Sequence, residues 1–219
     1  MSAQNLSFSV PRNPTVAGRP TALSHRSYDA VMLNGVPVDI LSAGCYDPSA
    51  RRTDENGNTP AGCSDDNPWL IDPPSAGNFF GEDSFNGHTQ PDGTYHYHAN
   101  PMTLEPASAS ADGSPVIGFA ADGFPIYGGY FRDTSGKVRK AQSGYELKSG
   151  ARPKTPGSPG GTHTGMYLAD WEFTGGGDLD ECNGMTVNGQ YGYYVTDSYP
   201  WILKCHKGTP DRSFAKGRP

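Results

Sequence analysis

No apolar run in this chain approaches the ~20 residues that a membrane-spanning helix needs. Nor do apolar residues recur with a 3.6-residue period over any length, so helix content should be low. Charged residues make up only 18% and the formal charge is −6. With no basic run or basic amphipathic stretch, this argues against nucleic acid and anionic membrane surfaces as partners. There is no Gly-x-Ser-x-Gly elbow for a serine hydrolase, and no phosphate loop or dinucleotide fingerprint. A copper brace would need an N-terminal histidine, and none lies near Met1. The four cysteines contain no Cys-x-x-Cys, which argues against a zinc knot.

What the chain does have is turns. Its 219 residues include 29 Gly and 20 Pro, set without a period between apolar and aromatic runs. That pattern suits a folded, mainly β unit with short strands and long Gly/Pro loops rather than a disordered chain. Residues 1–29 read as an extended lead-in, with Leu6–Val10 alternating as a possible strand. Val31–Leu33, an Asn34-Gly35 turn and Val36–Leu41 predict a hairpin, and Pro37 places its second strand at an edge or bulge. Asp54–Asn58 reads as a solvated turn, because it lacks the spaced oxygen ligands and distal Glu of a calcium loop. Trp69–Ile71 predicts a short buried strand, and residues 107–111 a small-residue connector. Residues 116–130 predict a second hairpin, 148–164 an exposed loop carrying His163, and 209–219 a loose tail.

Half of the six histidines fall in Gly87-His88 and Tyr95-His96-Tyr97-His98. Asp92-Gly93 supplies a turn, and the four residues from Tyr95 suit a pleated strand. Alternation puts His96 and His98 on one face and Tyr95 and Tyr97 on the other. The turn can fold His88 back toward the histidine face. Two imidazoles at i and i+2 with a third from a neighbouring segment can hold a transition metal, copper or zinc, with one position left open. Metal-bound histidine usually donates its other N–H to a carboxylate or carbonyl, so Asp122 and Asp83 are the candidate supports. Structural histidines that bond to backbone or stack are the alternative. His163, His206 and a solvent-facing His25 are weaker candidates.

Two pairs of segments match in the same order. Leu33–Val38 matches Ala121–Ile126, and Asp83–His88 matches Asp180–Met185, each latter segment being followed by a turn and a Tyr-x-Tyr. This predicts a tandem duplication, with halves at roughly 30–105 and 116–208 packed as one domain over 1–219. His88, His96 and His98 then correspond to Met185, Gly192 and Tyr194, so the scaffold does not need imidazoles in order to fold.

Cys45, Cys63, Cys182 and Cys205 allow three pairings. The local loops favour Cys45–Cys63 and Cys182–Cys205, each worth roughly 3 kcal/mol in the chain-entropy model. Oxidised cysteines imply a secreted or periplasmic protein. Met1–Gln4 opens no signal peptide, which predicts a chain whose signal has been removed and to which Met1 was added for expression.

Two function classes follow. One is an extracytoplasmic metal-binding protein, acting as a metal-dependent hydrolase or in copper handling or redox chemistry. The other is a non-catalytic module that recognises glycan or protein through some of its 12 Tyr, 3 Trp and 9 Phe. A hydrolase using Glu82 and Asp83 with Asp122 or Asp180 is a minor third reading. The expected partner is a small molecule or glycan.

Taken together, Leu33–Val38, Gly87-His88, Gly93–His98, Gly118–Gly128, Leu179–Gly184 and Tyr199–Cys205 resemble the YHYH-domain family of secreted bacterial proteins, over most of residues 6–208. The resemblance implies an extracytoplasmic protein and no agreed activity. The family usually carries a cysteine where Phe85 stands here.

Overall fold

The structure is a computed structural model, and it describes residues 1–104 and 110–217. Residues 107–109 of the expected connector and 218–219 of the expected tail lie outside the described residues. Among the described residues there is no α-helix, only single 3-10 turns at Pro73–Ser75, Leu168–Asp170 and Arg212–Phe214. The protein is mainly β, as the missing helical period requires.

Its centre is an eight-stranded sheet. In chain order the strands are β1 (Ala30–Met32), β2 (Pro37–Val38), β3 (Gly87–Thr89), β4 (Tyr95–Tyr97), β5 (Val116–Ala120), β6 (Pro125–Tyr127), β7 (Gly184–Val187) and β8 (Gln190–Tyr194). They lie in the order β7-β8-β6-β5-β1-β2-β4-β3. β1 and β5 meet antiparallel in the middle, with Val31 opposite Phe119. From there each half runs outward alike: a hairpin, a parallel neighbour (Val38 beside Tyr97, Ile126 beside Tyr193), then an antiparallel edge strand. A tandem duplication would generate this order.

Matching positions make matching contacts. Asp83 accepts from the Tyr95 hydroxyl at 2.8 Å, and Asp180 from Tyr191 at 3.1 Å. Asn34 donates to the Tyr97 hydroxyl, and Asp122 accepts from that of Tyr193. Asn86 and Asn183 both take positive φ, 61° and 71°, at the turn into the edge strand, a conformation that asparagine tolerates better than most residues. The inner positions Ala30, Met32, Val38, Tyr97, Ala120, Ile126 and Tyr193 are buried.

Pro37 departs from expectation. β2 is an interior strand, and Pro37 is accommodated as its first residue, where a missing donor costs least. Leu6–Val10 forms no strand; the segment is held by packing of Phe8 and Val10. Trp69–Ile71 is buried as expected, but it makes single bridges rather than a strand (Leu70 with Cys45, Ile71 with Tyr167). The 148–164 loop is not wholly exposed: Arg152 turns inward and pairs with the buried Asp170, Nη2 to Oδ2 2.6 Å.

The tail is not loose either. Phe214 is fully buried and stacks on Phe8 at 4.6 Å, Ala215 bridges to Ser27, and Lys216 pairs with the buried Asp39. One aromatic in a polar segment gives no periodic signal, and its partner is at the other end of the chain. Both expected disulfides are formed, Cys45–Cys63 and Cys182–Cys205. Phe85 and Met102, which stand where the second half has its cysteine pair, are exposed.

Candidate metal centre

β3 and β4 pair antiparallel with His88 directly opposite His96. Gly87 permits this close approach: a Cβ there would stand 2.6 Å from the Tyr95 hydroxyl and 2.7 Å from the His96 carbonyl oxygen. His98 follows β4 on the same face as His96, and its N–H donates to the Asn86 carbonyl at 2.9 Å. The expected face assignment holds. Tyr95 and Tyr97 turn the other way, their hydroxyls engaged by Asp83 and Asn34.

The three imidazoles converge through one kind of atom. Nε2 of His98 lies 2.9 Å from Nε2 of His96 and 3.1 Å from Nε2 of His88. The other ring nitrogen of His88 reaches the Phe80 carbonyl at 2.7 Å, and that of His98 reaches the Ile40 carbonyl at 3.4 Å. A carbonyl only accepts, so both Nδ1 atoms carry a proton, and in the neutral tautomer each Nε2 presents a lone pair. A proton on His96 Nε2 can satisfy one contact with His98. It leaves His88 and His98 facing each other lone pair to lone pair. A cation among the three relieves all of these contacts.

Electrostatics agree. Burial, with the neighbouring His88 charge, pushes His96 down to about 3. Burial, then His96 and His88, holds His98 well below the ordinary imidazole value. Both rings are therefore neutral at pH 7, the form that ligates a metal. Tetrahedral ligands at ~2.0–2.1 Å from zinc lie ~3.3 Å from one another, so Nε2 of His98 needs to part from the other two by only a few tenths of an ångström. This three-histidine group could hold a metal ion, and all its ligand atoms lie within 4.8 Å of one another.

The expected carboxylate supports are engaged elsewhere. Asp83 accepts from the Phe85 and Gly87 N–H groups and the Tyr95 hydroxyl, which shapes the turn into β3. Asp122 accepts from the Tyr193 hydroxyl at 2.6 Å and from the Gly208 and Phe124 N–H groups. Neither bonds to an imidazole. Backbone carbonyls do that work, and residue type carries no signal for them.

The other histidines stay outside the cluster. His25 is not solvent-facing; it contacts the Ser42 carbonyl and pairs with Asp65. His163 reaches the Gly150 carbonyl, and His206 is buried against that of Asp29. Glu82 feels the charges of Asp72 and Asp83. Burial and then these two charges push Glu82 up to about 7, and burial pushes Asp72 up to about 6. Gln90 and Thr94, which alternate onto the histidine face, line a cleft of about 1000 Å³ together with Tyr28, Arg26 and Lys216.

No curated protein and no solved structure matches this chain. A family model described as "YHYH protein" matches residues 7–208, most of the chain. The chain belongs to the YHYH protein family.

Proposed function

We propose that this is an extracytoplasmic metal-binding protein in which His88, His96 and His98 hold one copper or zinc ion through Nε2. The observation that supports the reading is the convergence of three Nε2 atoms, two of them on rings whose Nδ1 atoms meet backbone carbonyls. Three imidazoles suit either metal and leave a fourth position for water or substrate. Bound zinc would supply a Lewis acid for hydrolysis, and copper would supply redox chemistry or be the cargo of a sequestration site. The residues of the chain bind and orient the ion, and burial of His96 and His98 limits water around it. The cleft lined by Gln90 and Thr94 would admit a small molecule or glycan, though none of the three histidines lines it. Two disulfides support a secreted or periplasmic location.

The second reading is a non-catalytic secreted module with structural histidines. It is supported by the backbone contacts of the rings, since Nδ1 of His88 and of His98 meet the Phe80 and Ile40 carbonyls as structural histidines do. Elemental analysis of protein purified without a histidine tag separates the two. The metal reading expects one copper or zinc per chain after reconstitution, lost in His96→Ala/His98→Ala. Content well below one, or content unchanged by the double substitution, favours the module.

A further inference from the structure

The sheet is built twice, and the place that holds imidazoles in one half holds tyrosines in the other. Tyr194 on β8 stands where His98 stands beside β4, and Gly192 stands for His96. The glycine has a reason: a Cβ on Gly192 would lie 2.5 Å from Cε2 of Tyr127. The Tyr127 ring therefore covers the spot from which His96 projects in the first half. It stacks on Tyr194 with centroids 5.0 Å apart and planes at 21°, and Phe131 backs Tyr194 edge-on at 6.2 Å.

Beside this stack is a cavity of about 180 Å³, lined by Tyr127, Tyr130 and Tyr194 with Asp112, Arg132 and Gln190. Its tyrosines differ from the others of the repeated motif. The hydroxyls of Tyr95, Tyr97, Tyr191 and Tyr193 are each taken by a protein partner. Those of Tyr127, Tyr130 and Tyr194 make no hydrogen bond among the described residues, and none is a buried unpartnered atom. They are available to a ligand. Asp112 and Arg132 form a loose, exposed pair at 3.7 Å on the same cavity, one accepting and one donating.

We infer that this cavity is a sugar-binding site for one pyranose unit of a glycan. Sites that enclose drug-sized ligands run to ~300–1,000 Å³, so this one admits a single ring. Tyrosine offers an apolar body and a polar tip, which matches a ring with C–H faces and hydroxyl edges. The carboxylate, guanidinium and amide supply the mixed acceptors and donors that vicinal hydroxyls use. The site is separate from the three histidines and does not depend on metal.

The test is a titration of EDTA-treated full-length protein, followed by NMR. The probes are glucose, galactose, mannose, xylose and N-acetylglucosamine, with their β-linked trimers, up to about 10 mM. At least one sugar is expected to bind saturably, with shifts centred on the Tyr127, Tyr130 and Tyr194 resonances. Asp112→Ala and Tyr130→Ala, at exposed or half-exposed positions, are expected to weaken it tenfold or more. Tyr127→Phe/Tyr194→Phe keeps both rings, and is expected to weaken binding while leaving the melting temperature unchanged. No binding by any probe, or binding that survives all of these substitutions, overturns the inference.

Discussion

His96 and His98 bring their Nε2 atoms to 2.9 Å of each other from alternate positions of one chain segment. Both rings are buried, and both are held neutral. Two such rings share one proton comfortably. Nε2 of His88 stands 3.1 Å from that of His98 and adds a third nitrogen to the group. The arrangement is economical for a cation and awkward for packing alone, and the second half of the sheet replaces it with stacked tyrosines.

The Arg152–Asp170 pair should be among the most sensitive points of the fold. Asp170 is fully buried and accepts from Nε and Nη2 of Arg152, and from the Thr164, Gly165 and Tyr167 N–H groups. Arg152→Ala leaves a buried charge without its counter-ion and should cost ~3–5 kcal/mol by urea denaturation. A loss below ~1 kcal/mol would contradict the burial of the pair.

The tail should be part of the folded unit. Phe214 packs on Phe8 and Tyr28 in one small cluster. Phe214→Ala should cost ~3–5 kcal/mol, as for a buried aromatic. Removing residues 209–219 should cost at least as much. A truncated chain with unchanged stability would show that the tail is dispensable.

Much of this architecture was legible in the residues. Both hairpins announced themselves through Asn34-Gly35 and Asp122-Gly123, and the histidine face followed from the two-residue period of Tyr95–His98. The disulfides followed from the shortness of the loops they close. The features that residue type does not signal are held by backbone or by long-range packing. Phe80 and Ile40 support the imidazoles through carbonyls, which every residue has. Phe214 meets Phe8 across the whole length of the chain, and Arg152 sits in a Pro/Gly-rich stretch that reads as solvent-exposed until Asp170 is placed beneath it. Asp122 reads as a hairpin-turn residue before it reads as a support for a metal ligand, and the turn is its place: it accepts from the Phe124 N–H and from the Tyr193 hydroxyl.

Glu82 should report on pH. Its folded value is raised to about 7, by burial first and then by Asp72 and Asp83, above the ordinary ~4.3 of the unfolded chain. The folded state thus binds the extra proton between those values, and stability present below ~4.3 is lost as pH rises through 7. Glu82→Gln removes that loss. The variant should gain on wild type in urea midpoint from pH 5 to pH 8. A constant difference across that range would contradict the raised value.

Both bridges should be oxidised in the native protein. Intact mass should rise by four hydrogens on reduction under denaturing conditions. Peptide mapping should join Cys45 to Cys63 and Cys182 to Cys205. Cys182→Ala/Cys205→Ala should lose ~2–4 kcal/mol of stability. Crossed peptides, or no mass change, would contradict the pairing.

The metal centre is tested most directly by calorimetric titration of metal-free protein with Zn(II) and with Cu(II), wild type beside His96→Ala/His98→Ala. The three-histidine account predicts a single saturable site per chain in the wild type. It predicts no such site in the double variant, and affinity that falls as the solution is acidified. Absence of a saturable site in the wild type, or a site of equal stoichiometry and affinity in the variant, would contradict it.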